Sequence, residues 1–198
     1  MQSNPALTWR TPLLQARPRP NTMHGVTLIE TMCVVALIGV LTAVTLPSVQ
    51  GTLSRSHATV IGNRLLADLS RARSEAIMTG LPSVVCPSSD GSTCSGTDSW
   101  SNGWIVFVDR DGSDQRFADE PVLSVVGRSE LGGLQVISSV DRTKMRFLPD
   151  GKSGGTNATM HVCDGTRLTR SVVTNISGRS RLVQPATANM ACTTAATQ

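Results

Sequence analysis

His24-Gly25-Val26-Thr27-Leu28-Ile29-Glu30 opens an apolar run that continues to Val49, and the reading of this stretch decides the fold. From Val26 to Leu46 the run holds one charged residue, Glu30. As a helix rising about 1.5 Å per residue it reaches roughly 30 Å, one hydrocarbon core, so a membrane-spanning helix is predicted over 26–48. The basic residues Arg10, Arg17 and Arg19 come first, the small residue Gly25 follows, and only then does the apolar run begin. A secretory signal has its small residues after the apolar core, so cleavage at Gly25 leaves the helix on the mature protein. A carboxylate within such a span costs on the order of a few kcal/mol unless a cation neutralises it. The nearest cation is the α-amino group that cleavage creates on Val26, largely protonated at neutral pH with a reference pKa of about 7.7–8.0.

The stretch from His24 to Glu30 resembles the class III prepilin leader of type IV pilins and pseudopilins. That resemblance implies a cut between Gly25 and Val26 by a prepilin peptidase and methylation of the new N-terminus. Glu30 then neutralises the N-terminus of a neighbouring subunit during filament assembly. Val26 stands where phenylalanine is usual and His24 precedes the glycine; the glycine and the glutamate are both present. The chain divides accordingly into a leader, 1–25, a transmembrane and assembly helix, 26–48, an amphipathic stem, 49–82, and a head, 83–198.

Pro47 ends the apolar run, yet helical spacing continues past it, which predicts a kink and not a stop. Val60, Ile61, Leu65, Leu69, Ala72, Ala76 and Ile77 recur at three- and four-residue intervals, with Arg64, Asp68, Arg71 and Glu75 between them. This is a stem whose apolar face packs on a sheet, and Gly80 and Pro82 stop it. Strands are expected over 83–86, 103–109, 121–126, 133–138, 144–148, 159–163, 169–175 and 181–183, short β-rich runs separated by Gly, Asp and Ser. The fold class is α+β: a long N-terminal helix laid on an antiparallel β head. With three Phe, three Trp and no Tyr, its core must be aliphatic.

Leu65 to Ala76 looks like the segment shared by the GspH/FimT family of minor pilins, in which Arg73 and Glu75 read most simply as solvated helix surface. The resemblance extends through Cys86-Pro87 with Gly91 and Cys94, Gly103 to Asp109, Phe147 to Gly151 and His161 to Cys163. Cys33 lies in the apolar run, and the four cysteines of the head suggest two disulfides in an oxidising compartment. Cys86 with Cys94 and Cys163 with Cys192 is the favoured pairing, because each closes a Gly/Ser/Thr-rich loop.

Chemistry is sparse. The chain has three histidines, His24 in the leader, His57 beside the apolar run and His161 in a strand, and no nucleophile, base and acid assemble around them. A non-enzyme without cofactor or metal is expected. Asp109-Arg110-Asp111-Gly112-Ser113-Asp114 imitates the start of a calcium loop, with Glu120 at the twelfth position. Its glycine comes two places early and its flanks read as strands, so it is taken as an acidic hairpin turn.

Charge is divided along the head. Cys86 to Asp141 carries three basic and nine acidic residues, net −6, and Arg142 to Gln198 carries eight and two, net +6. In that second segment Asn175-Ile176-Ser177-Gly178-Arg179-Ser180-Arg181 places two arginines at alternate positions. On an extended strand they project to one side about 6.5–7 Å apart, comparable to adjacent phosphates of one nucleic-acid strand. Lys144, Arg146, Lys152, Arg167 and Arg170 belong to the same segment and could assist. The turn is similar to the Gly-Arg-x-Arg element of FimT-type minor pilins, which implies double-stranded DNA capture during natural transformation. The competing expectation is that these arginines pair with acids of the −6 segment or with neighbouring subunits, in a purely structural subunit that primes a pilus or serves a type II secretion system. Either way the partners are other pilins met through the N-terminal helix, and the location is the inner membrane, single-pass, with the head in the periplasm and later on the pilus.

Overall fold

The fold is that of a computed structural model, which describes residues 25–139, 142–155, 157–185 and 192, with the backbone alone over 43–52. Arg10, Arg17, Arg19 and His24 of the expected leader lie outside the described residues. Helix α1 runs Leu28–Thr79 and continues through Pro47. Its start is capped by Thr27, whose carbonyl accepts the Thr31 N–H at 3.2 Å and whose hydroxyl accepts the Glu30 N–H at 3.4 Å. Gly80 ends it in the left-handed conformation, donating its N–H to the Ala76 carbonyl at 3.1 Å.

Two compact units divide the chain, 1–45 and 46–198. In the first, Leu28, Val35 and Leu41 are among a set of exposed apolar side chains, and the Glu30 carboxylate is exposed with them. Among the described residues no helix is long and apolar enough to cross a membrane; positions 43–48 of the expected span lie outside the described side chains.

Among the described residues the second unit holds eight strands, all paired antiparallel, in two four-stranded sheets. The first sheet contains β1 (Ser83–Pro87), β2 (Gly103–Val108), β3 (Val122–Gly127) and β5 (Met145–Phe147), in the order β3-β2-β1-β5. The second contains β4 (Gln135–Ser138), β6 (Ala158–Asp164), β7 (Arg167–Thr174) and β8 (Ser180–Val183), in the order β4-β6-β7-β8. The eight runs of alternating or continuous apolar residues are thus strands, and the architecture is α+β, a long helix laid on antiparallel sheets. The order β5 beside β1 and β4 beside β6 interleaves the two halves of the sequence between the sheets.

One face of α1 holds the core. Ala58, Ile61, Leu65, Leu69, Ala72 and Ala76 are all buried and pack with Val85, Trp104, Val106, Phe147, Met160 and Val172 from both sheets. Val60 and Ile77, expected on that face, are instead exposed, at 58% and 50%, because each lies one position round the helix from a residue already in contact. Asp68, expected outside, is buried and accepts the indole N–H of Trp104 at 2.9 Å and the guanidinium of Arg64 at 3.3 Å. Gly62 lets Leu182 of the second sheet lie against the helix, since a Cβ there would stand 2.6 Å from the Leu182 Cδ1.

A sheet with one face on the helix must cover the other with loops, and the disulfides fasten those covers. Cys86 and Cys94 are bonded, Cα to Cα 5.6 Å, in a cluster with Val84, Ile105 and Phe107. Cys163 and Cys192 are bonded, Cα to Cα 6.1 Å, in a cluster with Leu168 and Ile137. Cys33 is free and exposed.

Candidate functional site

Strands β7 and β8 form a hairpin whose turn is Asn175-Ile176-Ser177-Gly178. Gly178 donates its N–H to the Asn175 carbonyl at 2.9 Å, and Asn175 donates to the Arg179 carbonyl at 3.1 Å. A hairpin loop of this length needs one left-handed residue, and Gly178 supplies it with φ +74°. The Asn175 carboxamide oxygen accepts from the Arg179 N–H at 2.9 Å and the Ser177 hydroxyl at 2.8 Å, so the side chain copies a backbone turn. A Cβ on Gly178 would run into the carbonyl oxygen of Gly151, so the turn and the Leu148–Ser153 loop are in van der Waals contact.

Arg73 of α1 fixes that contact from beneath. It is half-buried, and its Nε donates to the Gly151 carbonyl at 2.8 Å. This overturns the reading of Arg73 as solvated surface; nothing near it along the chain signals its acceptor, a backbone carbonyl 78 positions away. Ser70, Arg73, Ser74 and Ile77 of the helix, with Gly178, Arg179 and Ser180, line a pocket of about 290 Å³.

From this turn Arg179 and Arg181 emerge exposed, while Ser180 between them turns inward to the Thr174 hydroxyl at 2.8 Å. Among the described residues neither arginine has a carboxylate within ion-pair distance. The five cations expected to assist them are distributed otherwise. Lys144 and Arg146 sit at β5 in the other sheet and are held by Asp114 at 3.0 and 2.7 Å, with Arg146 also 3.7 Å from Asp109. This corrects their placement: β5 joins the sheet that carries the acidic β2–β3 loop, so these bases neutralise it. Lys152 pairs with Asp150 at 2.7 Å, both ends exposed, and that carboxylate holds its ammonium above the usual lysine value. An exposed pair exchanges readily for another anion, so Lys152, next to Gly151, stays with the turn. Arg167 and Arg170 line a different pocket, about 310 Å³, with Arg55.

The model for type II transport protein GspH matches residues 62–178, and the prokaryotic N-terminal methylation motif matches residues 20–46. The chain belongs to the GspH family. This GspH-family chain has the architecture of the type IV minor pilin FimU from Pseudomonas aeruginosa. Two crystal forms of that protein align with TM-scores of 0.56 and 0.52 at 20% and 21% identity, covering 70% and 68% of this chain and 96% and 98% of theirs. The minor pseudopilin EpsH from the type 2 secretion system of Vibrio cholerae also aligns, TM-score 0.45 at 15% identity, covering 66% of this chain and 99% of its own. No curated protein sequence matches. The GspH-family chain therefore carries an N-terminal methylation motif ahead of its GspH head. The family match stops at Gly178, so Arg179 and Arg181 lie just beyond it.

The acidic β2–β3 loop of the GspH-family head is more ordered than a hairpin turn. Asp109, Asp111 and Glu120 converge, with ligand oxygens within 4.8 Å of one another. Those oxygens are already engaged: Asp109 accepts the N–H groups of Ser113 and Asp114 at 3.1 and 3.2 Å, and Glu120 those of Arg110 and Phe117 at 2.7 and 2.9 Å. Burial pushes the Asp109 carboxyl above its ordinary value despite these donors and Arg146. His161 is buried in β6 with its Nδ1 3.0 Å from the Ser171 hydroxyl.

Asp90, in the loop closed by Cys86 and Cys94, is the opposite case. The N–H groups of Thr93 and Ser92, each 2.8 Å away, and the hydroxyls of Thr93 and Ser88 hold it well below the ordinary 3.8. A depressed folded value means stability that is present above 3.8 and lost as pH falls through the folded value. Melting temperature followed below pH 3.8 should therefore fall less steeply in Asp90→Asn than in the wild type.

Proposed function

We propose that this chain is a minor type IV pilin that binds double-stranded DNA through the Gly178–Arg181 turn for uptake in natural transformation. Cleavage between Gly25 and Val26 leaves residues 26–48 to hold the subunit in the inner membrane. Glu30 then meets the methylated N-terminus of a neighbouring pilin as the filament grows. The head, stored in the periplasm, is carried out with the pilus.

The observation that carries the DNA reading is the pair of exposed arginines on a braced turn, with no carboxylate in ion-pair distance among the described residues, whereas Lys144 and Arg146 are held by Asp114. Guanidinium groups in this arrangement take successive phosphates of one strand, with Lys152 beside them, and among the described residues no aromatic side chain lines the turn to stack on a base. Binding is then backbone-directed, independent of sequence and steeply salt-dependent.

The full chain in mild detergent, titrated with duplex DNA at several salt concentrations, tests this. Arg179→Gln with Arg181→Gln should weaken binding about tenfold and reduce the slope of log K against log salt by about 1.8, roughly 0.9 for each phosphate that is no longer neutralised. Lys144→Gln, whose ammonium faces Asp114, should change neither. Unchanged binding in the double variant removes the clamp. The second reading, a structural pseudopilin of a type II secretion system, is favoured by the description of the matching family model, and it requires that the wild type itself show no salt-dependent DNA binding.

A further inference from the structure

The pocket of about 310 Å³ between α1 and the β7–β8 edge is separate from the turn. Arg55 comes from α1, Arg167 and Arg170 from β7, and Gln184 follows β8. The facing of β7 explains how two arginines reach it. A bulge opposite Val162 and Cys163 pairs Arg170 with Val162 and Leu168 with Cys163, so Thr169 is the extra residue. Leu168 therefore joins the Cys163 cluster on one side, and the Cβ of Arg170 faces Gly62 of the helix on the other.

The charge balance favours an anion. Among the described residues Arg55 has no carboxylate within ion-pair distance, and Arg170 spends one N–H on the Thr169 carbonyl at 2.7 Å. Asp164, which pairs with Arg167 at 3.5 Å, is shared with the Ser54 hydroxyl, which donates to it. Thr169, which also lines the pocket, is buried with a hydroxyl that has no hydrogen-bond partner. Buried polar groups are nearly always satisfied, so the Thr169 hydroxyl at this wall is one more group that a polar ligand would satisfy.

Arg55 stands six residues past Val49, where the apolar run ends, which is about 9 Å along a helix. The headgroup layer on each side of a bilayer is about 5–8 Å thick, and arginine stems extend toward it. We infer that this pocket binds a phosphate group, and that a lipid headgroup of the anionic phosphatidylglycerol kind supplies it while the subunit is stored in the membrane. The inference rests on the membrane-stored state proposed above and is independent of DNA binding.

The full chain in mild detergent is mixed with phosphatidylglycerol, with phosphatidylcholine or with inorganic phosphate, and lipid retained on the protein is counted by native mass spectrometry. Phosphatidylglycerol should be retained in preference, about fivefold less for each arginine removed in Arg55→Gln and Arg170→Gln. Arg179→Gln with Arg181→Gln should retain it as the wild type does. Arg55 is exposed, so Arg55→Gln keeps the test decisive even where Arg170→Gln misfolds.

Arginine-dependent displacement of the lipid by millimolar inorganic phosphate assigns the phosphate to a soluble source and overturns the lipid assignment. Equal retention of both lipids, or a preference that survives Arg55→Gln, overturns the pocket. Arg55-dependent displacement by duplex DNA overturns it in favour of nucleic acid. Flotation of the chain with phosphatidylcholine vesicles separates the two levels: flotation without headgroup preference sinks the pocket alone, and no flotation sinks membrane storage with it.

Discussion

Alanine in place of Gly178 should lower the unfolding free energy by about 3 kcal/mol, part from the left-handed backbone and part from the collision of the new Cβ with the Gly151 carbonyl. Urea unfolding of the full chain in detergent measures it. The position has two constraints, and a second substitution separates them. Asparagine tolerates φ +74° far better than alanine but brings the same Cβ, so Gly178→Asn should remain destabilised by the collision. Recovery of wild-type stability in Gly178→Asn overturns the contact between turn and loop. Both variants should also weaken DNA binding, because moving the turn off Gly151 and Arg73 removes the brace that holds Arg179 and Arg181 at fixed spacing. A Gly178→Ala protein that unfolds earlier yet binds DNA unchanged separates the brace from the function.

Asp68→Ala should cost about 2–3 kcal/mol, an effect out of proportion to a residue that sits among charges on a helix. The carboxylate is buried, and its removal leaves the Trp104 indole N–H without an acceptor in the core, with Arg64 released from its place beside Ser124. Asp68→Asn keeps an oxygen for the indole and should cost less than half as much. Equal losses in the two variants overturn the role of the indole hydrogen bond and assign the effect to the Arg64 ion pair. Near-ultraviolet circular dichroism of Trp104 should change in the alanine variant and stay close to wild type in the asparagine variant.

Much of this molecule is written locally. The prepilin-like start is legible because glycine, an apolar run and one acid are consecutive in the chain, and the family match over 20–46 and 62–178 agrees with that reading. The eight strands are legible because alternation and turn residues act over a few positions, and the Asn175–Gly178 turn because its chemistry is that of its own four residues. The same locality misleads at Val60, Ile77, Asp68 and Arg73. Spacing alone places a residue within about one position of the buried stripe, and what decides its burial is the partner that arrives from elsewhere: Trp104 for Asp68, the Gly151 carbonyl for Arg73.

The electrical division of the head shows the limit most clearly. Net charges of −6 and +6 over consecutive segments suggest two opposed faces. Strand order removes that picture, because β5 crosses to the sheet of β1 and β2 and brings Lys144 and Arg146 to Asp109 and Asp114, and the bulge at Thr169 turns Arg170 toward α1. By itself the sequence determined a helix with an apolar start, an antiparallel head and a glycine turn followed by two arginines, since each depends on neighbours along the chain. Which cations remain free, and which acids are buried, was decided only by the tertiary structure, since pairing and desolvation depend on neighbours in space.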